Sequence, residues 1–204
     1  MNWWLDRQKK DSYVKKREQE QLRSRAAFKL RELIQKFQLK KSPGPFIDLG
    51  SAPGGWTEIL VQTYPNQLIV ACDLLEMKPV NGSIFIQGDF TSDDIVKKIE
   101  ESLNNQSVGG IFSDMAPNFS GHPLVEQSKM MNLTEIMRDF AVKKLQPKGF
   151  IVQKVFHGSE FENIINCWKE IFDDVIIYKP PASRSESSEV YIYAKKMKKI
   201  QKKD

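Results

Sequence analysis

Phe46-Ile47-Asp48-Leu49-Gly50-Ser51-Ala52-Pro53-Gly54-Gly55-Trp56 is a short apolar run that ends in an acid and a glycine-rich turn. In an α/β protein such a junction ends the first strand and opens the first helix. Its glycines let the backbone approach a ligand, and the helix turns its free N–H groups into the same space. A lone turn of this kind is a weak signal, but its company is not. Asp73, Asp89 and Asp114 each follow an apolar run, Lys154 lies within one, and Glu189 opens the last. Charges in apolar contexts are costly unless partnered, so their recurrence at strand ends marks a site. No lysine follows the glycines, which argues against a phosphate-binding loop.

Working outward, apolar runs predict strands at 68–72, 84–87, 108–113, 150–155, 174–178 and 190–194, with helical patterns over 56–63, 93–102, 124–145 and 160–171. Before the first strand, 3–20 reads as a polar helix. A second helix over 25–37 has Ser24 as its cap and Ala27, Leu30, Leu33, Ile34 and Phe37 on one stripe. Strand–helix alternation predicts a mostly parallel, doubly wound sheet. The Pro/Ser-rich loop 179–189 has no room for a crossover helix, so the last two strands should pair antiparallel. Seven strands with that ending resemble the Rossmann-like class I methyltransferase architecture, in one domain over 1–204 with helices on both faces.

With 204 residues, 40% of them hydrophobic, the chain can bury one substantial core. No apolar stretch is long enough to span a bilayer, so no membrane partner is expected. Cys72 and Cys167 lack metal-ligand spacing; they read as buried thiols, and no metal site is expected. The net charge of +5 is unevenly spread. Residues 1–41 hold thirteen Lys/Arg against five Asp/Glu, and 195–204 hold six against one, so the body between is acidic. A basic arm and a basic tail suit a polyanion, although the tail reads equally well as a solvated lysine run. In the arm, Trp3, Trp4, Tyr13 and Phe28 interleave with the cations, a surface suited to RNA. Arg7, Lys9, Lys10, Lys15, Lys16, Arg23 and Arg25 are the candidate phosphate contacts, and binding should be salt-sensitive.

S-adenosylmethionine would match the strand-end groups. It presents a ribose diol, an adenine and a zwitterionic methionine, and carries no phosphate. Gly50 and the Pro53-Gly54-Gly55-Trp56 turn could meet the amino-acid portion, Asp73 the ribose and Asp89 the adenine. Lys154 inside an apolar strand must be paired or functional, since lysine is rarely buried otherwise. Alternation should send its neighbour Gln153 to the opposite face.

Leu22-Arg-Ser-Arg-Ala-Ala-Phe-Lys-Leu30, Asp48 to Trp56, Ala71-Cys-Asp-Leu-Leu75, Gln87-Gly-Asp-Phe90, Ser113-Asp-Met-Ala-Pro-Asn118, Lys154-Val-Phe156 and Ser188-Glu-Val-Tyr191 together resemble the FtsJ/RrmJ family of RNA ribose 2′-O-methyltransferases over nearly the whole chain. The resemblance implies a catalytic tetrad of Lys29, Asp114, Lys154 and Glu189, and cofactor positions at Gly54, Trp56, Asp73, Asp89 and Asp114. It implies S-adenosyl-L-methionine as cofactor. Met115 places the motif nearer the large-subunit ribosomal RNA branch, with a ribose, expected to be a uridine's, as target. A tRNA methyltransferase and a non-catalytic RNA-binding assembly factor are the competing readings.

On the family pattern, Lys154 accepts the 2′-hydroxyl proton or, as a cation, orients the hydroxyl. Asp114 orients Lys154, Glu189 holds the hydroxyl, and Lys29 positions the ribose or tunes the site. Nearby Lys29 would favour neutral Lys154, and the two acids its ammonium. The ribosomal large subunit is the implied partner, with the protein a monomer. The implied location is the bacterial cytoplasm, or the mitochondrion if the source is eukaryotic, with any cleaved presequence then outside these residues.

Overall fold

The computed structural model describes residues 19–117, 121–184 and 186–199. The expected helix over 3–20, with Arg7, Lys9, Lys10, Lys15 and Lys16, lies outside these residues but for its last two positions. Among the described residues the order is α1 (Ala26–Lys36), β1 (Phe46–Leu49), α2 (Gly55–Thr63), β2 (Ile69–Asp73), β3 (Ser83–Gln87), α3 (Asp93–Ser102), β4 (Val108–Ser113), α4 (Pro123–Lys144), β5 (Leu145–Phe156), α5 (Phe161–Ile171), β6 (Phe172–Tyr178) and β7 (Glu189–Met197).

The strands form one sheet in the order β3-β2-β1-β4-β5-β7-β6, with β7 antiparallel to both neighbours and the other pairings parallel. Strand order reverses between β1 and β4, the crevice where ligands of open α/β sheets settle. Alternation along the strands divides the core. Phe46, Phe112, Phe150, Val152, Tyr191 and Tyr193 pack with α1 and α2 on one face. Ile47, Leu49, Ile111, Ile151, Val190 and Ile192 pack with α3, α4 and α5 on the other. Among the described residues no helix is long and apolar enough to cross a membrane.

Three local expectations change. Ser24 does not cap α1: the N-cap position is Arg25, with no side-chain cap bond. The starts of α1 and α2 approach so closely that a Cβ on Gly55 would lie 2.1 Å from Ser24 Oγ, which places the hydroxyl against α2. Strand β5 starts at Leu145, before its sequence signal, because a register shift opposite β4 absorbs the breakers Pro147 and Gly149. The basic run expected as a tail from 195 begins inside β7. Lys196 Nζ pairs with Asp174 Oδ2 at 2.9 Å, and the Lys198 amide donates to the Ile171 carbonyl at 2.9 Å. Pairing with β6 stabilises this stretch as strand.

Candidate active site

A cavity of about 440 Å³ opens at the C-terminal ends of β1 to β4, and its wall includes Gly50, Asp73, Asp89, Asp114, Met115 and Lys154. Gly50 has φ +75°, and a Cβ there would lie 2.6 Å from the Met115 amide nitrogen. Only glycine therefore lets the turn after β1 close against the residues after β4. Both oxygens of Asp73 are aimed by backbone donors, Ala52 N–H to Oδ2 and Leu75 N–H to Oδ1, each at 2.8 Å. A carboxylate has about four acceptor positions, so a fixed pair remains for a vicinal diol. Asp89 Oδ1 is likewise held, by the Thr91 amide at 2.9 Å and its hydroxyl at 2.7 Å.

One ion pair stands in the wall of this cavity and a second on the sheet face covered by α1. Lys154 Nζ lies 3.1 Å from Asp114 Oδ1 and also donates to the Asp114 carbonyl. Lys29 Nζ lies 2.5 Å from Glu189 Oε1, which also accepts from Ser183 Oγ at 2.8 Å. All four charged side chains are at most 16% exposed. Asp48, Phe112, Val152, Lys154 and Tyr191 follow the cross-strand register on one face of the sheet. That face is covered by α1, from which Lys29 projects. Burial would raise the Glu189 carboxyl, but the Lys29 charge, hydrogen bonds from Lys29 and Ser183, and Lys154 together hold it below its ordinary value.

The FtsJ-like methyltransferase family matches residues 22–197. The chain belongs to that family. It is 41% identical over 196 residues to the ribosomal RNA large subunit methyltransferase E of Dechloromonas aromatica, covering 96% of each chain. It is 42% identical to the protein of that name from Marinobacter nauticus, over 95% of this chain and 94% of the relative. Among solved structures, a ribosomal RNA methyltransferase from Plasmodium falciparum superposes with a TM-score of 0.75 at 27% identity, over 86% of this chain and 98% of that one.

In this FtsJ-like methyltransferase the lysines, Asp114 and Glu189 come together from four elements, but they divide into pairs: Glu189 holds Lys29, and Asp114 holds Lys154. Three positions expected at the cofactor stand away from the cavity wall: Pro53, Gly54 and Trp56. Trp56 is a correction for its side chain. The indole is 2% exposed, donates to the Ala26 carbonyl at 2.8 Å and packs on Phe112 and Tyr191.

Arg23 and Arg25 are corrections too, because their guanidinium groups are committed internally. Arg23 bonds Glu58 at 2.6 Å and the carbonyls of Lys78 at 2.5 Å and Pro79 at 2.8 Å, strapping the glycine turn to the loop after β2. Arg25 donates to the Ala182 carbonyl at 2.8 Å, while the Ala182 amide donates to Glu32 at 3.0 Å. Helix α1 thus grips both backbone groups of the residue beside Ser183, and so places Glu189.

Sequence reasoning gave no role to Tyr191 or Ser183. Tyr191 is fully buried and its hydroxyl donates to Asp114 Oδ1 at 2.9 Å. Burial, then Asp114 and Glu189, push its phenol well above the ordinary range, so it remains a donor. Its spacing of two from Glu189 on one strand was the available signal.

Asp48 lies beneath the turn, fully buried. Thr57 Oγ1 donates to its Oδ2 at 2.6 Å, and Oδ1 has no partner among the described residues. Burial, opposed by the Thr57 bond and aided by Asp114 and Asp73, raises its carboxyl from 3.8 to about 7. The folded state then holds a proton that the unfolded state has released, so this group's effect on stability worsens as pH rises from 3.8 to about 7. Asp48→Asn is expected to gain stability relative to wild type across that window in denaturant titrations. An equal difference at pH 4 and pH 8 would refute this assignment.

Proposed function

We propose that this chain transfers the methyl group of S-adenosylmethionine to a ribose 2′-hydroxyl of large-subunit ribosomal RNA. The observation that carries the reading is a lysine–carboxylate pair, Lys154–Asp114, set in the wall of a cavity whose other end holds two backbone-anchored acids, Asp73 and Asp89. The names of the relatives support the RNA class, and their coverage of both chains supports the same extent of structure.

The residues fit the cofactor. Asp73 would accept from the ribose diol, Asp89 would face the adenine, and the Gly50 turn would admit the amino-acid portion closely. When bound, the sulfonium supplies an electrophilic methyl group and a neutral thioether leaving group. The protein's task is then to align the hydroxyl oxygen and manage its proton. Alignment of this kind supplies roughly 7–11 kcal/mol in well-oriented systems.

Lys154 has three positions on nitrogen, and Asp114 takes two through its carbonyl and Oδ1. The third faces the cavity. In a neutral amine it is the lone pair that accepts the 2′-hydroxyl proton as oxygen attacks carbon, and the resulting ammonium is already paired with Asp114. Tyr191 donates to the same Oδ1 and so fixes the carboxylate that Lys154 meets. The second pair, Lys29–Glu189, offers an ammonium and a second carboxylate oxygen that can bracket the ribose.

The test is transfer of labelled methyl to unmodified large ribosomal subunits, with free tRNA in parallel. Label in the large-subunit RNA, lost as salt rises, is the expected result. Label only on tRNA would change the substrate; none on either, with cofactor bound, would favour a binding role in ribosome assembly. The working compartment follows the substrate: the bacterial cytoplasm, or the mitochondrion of a eukaryote.

A further inference from the structure

Loop 179–189, which delivers Glu189 to the tetrad, is held by a frame of its own. The Ser183 amide donates to the Pro180 carbonyl at 2.8 Å and the Ser187 amide to the Arg184 carbonyl at 3.1 Å, so two turns fold the loop back on itself. Ser187 Oγ accepts the Glu189 amide at 3.2 Å, and Lys179 Nζ donates to the Ser187 carbonyl at 2.8 Å. This frame is tied to α1 at Ala182, whose carbonyl meets Arg25 and whose amide meets Glu32. Arg25, Lys29 and Glu32 follow one another at intervals of four and three residues. One stripe of α1 therefore carries both halves of the tie and the lysine that pairs with Glu189.

Ser183 stands where the tie and the tetrad meet. It is buried, and its hydroxyl donates to Glu189 Oε1 at 2.8 Å, the same oxygen that Lys29 Nζ meets at 2.5 Å. Both contacts of this carboxylate among the described residues thus fall on Oε1, which leaves Oε2 for a substrate. The last torsion of a glutamate is a broad, roughly twofold coordinate that a single contact leaves loose. Two donors from different elements, α1 and the loop, fix it. Burial would raise the Glu189 carboxyl, and Lys29, then Ser183, hold it below its ordinary value instead.

We propose that Ser183 is a positioning residue for methyl transfer: by sharing Oε1 with Lys29 it commits Oε2 of Glu189 to the acceptor ribose, and the Arg25–Ala182–Glu32 tie keeps Ser183 in place. The inference rests on the ribose methyltransferase reading above. Ser183 is absent from the wall of the cofactor cavity, so its effect on the reaction runs through Glu189. Without its hydroxyl, Lys29 alone restrains the carboxylate, whose two oxygens can then turn away from the ribose. In-line transfer is sensitive to such a displacement, because the aligned geometry supplies much of the rate.

The test is a double-substitution cycle read by single-turnover transfer to unmodified large ribosomal subunits, beside calorimetric binding of S-adenosylmethionine. Ser183→Ala should slow transfer about tenfold, the lower end for losing a hydrogen bond to a charged group, and leave cofactor Kd unchanged. Ser183→Thr keeps the hydroxyl and should restore most of the rate. In a Glu189→Ala background, Ser183→Ala should change the residual rate by less than about twofold, since no carboxylate is left to position. Ser183→Cys, close in volume and a weaker donor, takes its place if the alanine variant unfolds early. A folded Ser183→Ala protein with the wild-type rate overturns the assignment, and so does a tenfold loss that persists without Glu189. Wild-type enzyme that methylates neither the large subunit nor tRNA overturns the ribose reading itself, and this inference with it.

Discussion

Lys154→Ala is expected to slow methyl transfer by roughly two to four orders of magnitude, the range of a positioned acid–base group. Cofactor affinity should change far less, because Asp73 and Asp89 are anchored by donors from their own loops and the Ala52 amide, not by Lys154. The side chain is 10% exposed and makes two contacts, both with Asp114. Its removal therefore leaves one carboxylate, which Tyr191 still holds. Lys154→Arg separates the two possible roles. Arginine keeps the positive charge but does not release its proton, so it can orient a hydroxyl and cannot accept from it. Single-turnover transfer measured beside calorimetric cofactor binding checks both variants. Near-wild-type turnover in the arginine variant would remove the base role, and an alanine variant at half the wild-type rate would remove Lys154 from the chemistry altogether.

The second large effect is on stability and arises behind the lysine. Gln153 points to the opposite face of β5, where its Nε2 donates to Thr134 Oγ1 at 2.8 Å and its Oε1 accepts the Trp168 indole N–H at 2.7 Å. All three residues are at most 1% exposed, and Thr134 Oγ1 donates onward to the Met130 carbonyl at 2.9 Å. This network ties α4 and α5 to the strand that carries Lys154. Trp168→Ala should cost about 3–5 kcal/mol, from the lost aromatic volume and the cavity left behind. Gln153→Ala should cost about 1–3 kcal/mol for each polar partner left unsatisfied. Because the two share one hydrogen bond, the double variant should lose less than the two single losses combined. Urea titration of the four proteins measures this. Strict additivity, or a Trp168→Ala loss below about 1 kcal/mol, would show that the network contributes little.

Fold class was legible because its signals are local. Each parallel strand is an apolar run, each glycine or proline cluster interrupts the chain, and loop 179–189 is visibly too short to cross the sheet. The strand-end acids were legible for a related reason, since a charge that closes an apolar run has few structural uses. What failed were readings that depended on which neighbour arrives from elsewhere in the chain. Ser24 had the chemistry of a cap but met Gly55, and Arg23 had that of a phosphate contact but met three backbone carbonyls and Glu58. Trp56 stands at the turn, yet its ring is drawn into the core by Phe112 and Tyr191.

The order of residues along the chain thus determined the alternating architecture, the antiparallel ending, and which acids, with Lys154, would stand at one end of the sheet; Lys29 entered only through the family resemblance. Periodicity and breaker residues are properties of short segments and survive without long-range contacts. Only the tertiary structure decided the pairing inside the tetrad and the hold of Tyr191 and Ser183 on its carboxylates. Those depend on distances of a few ångströms between residues far apart in sequence, and packing of the helices against the sheet sets them.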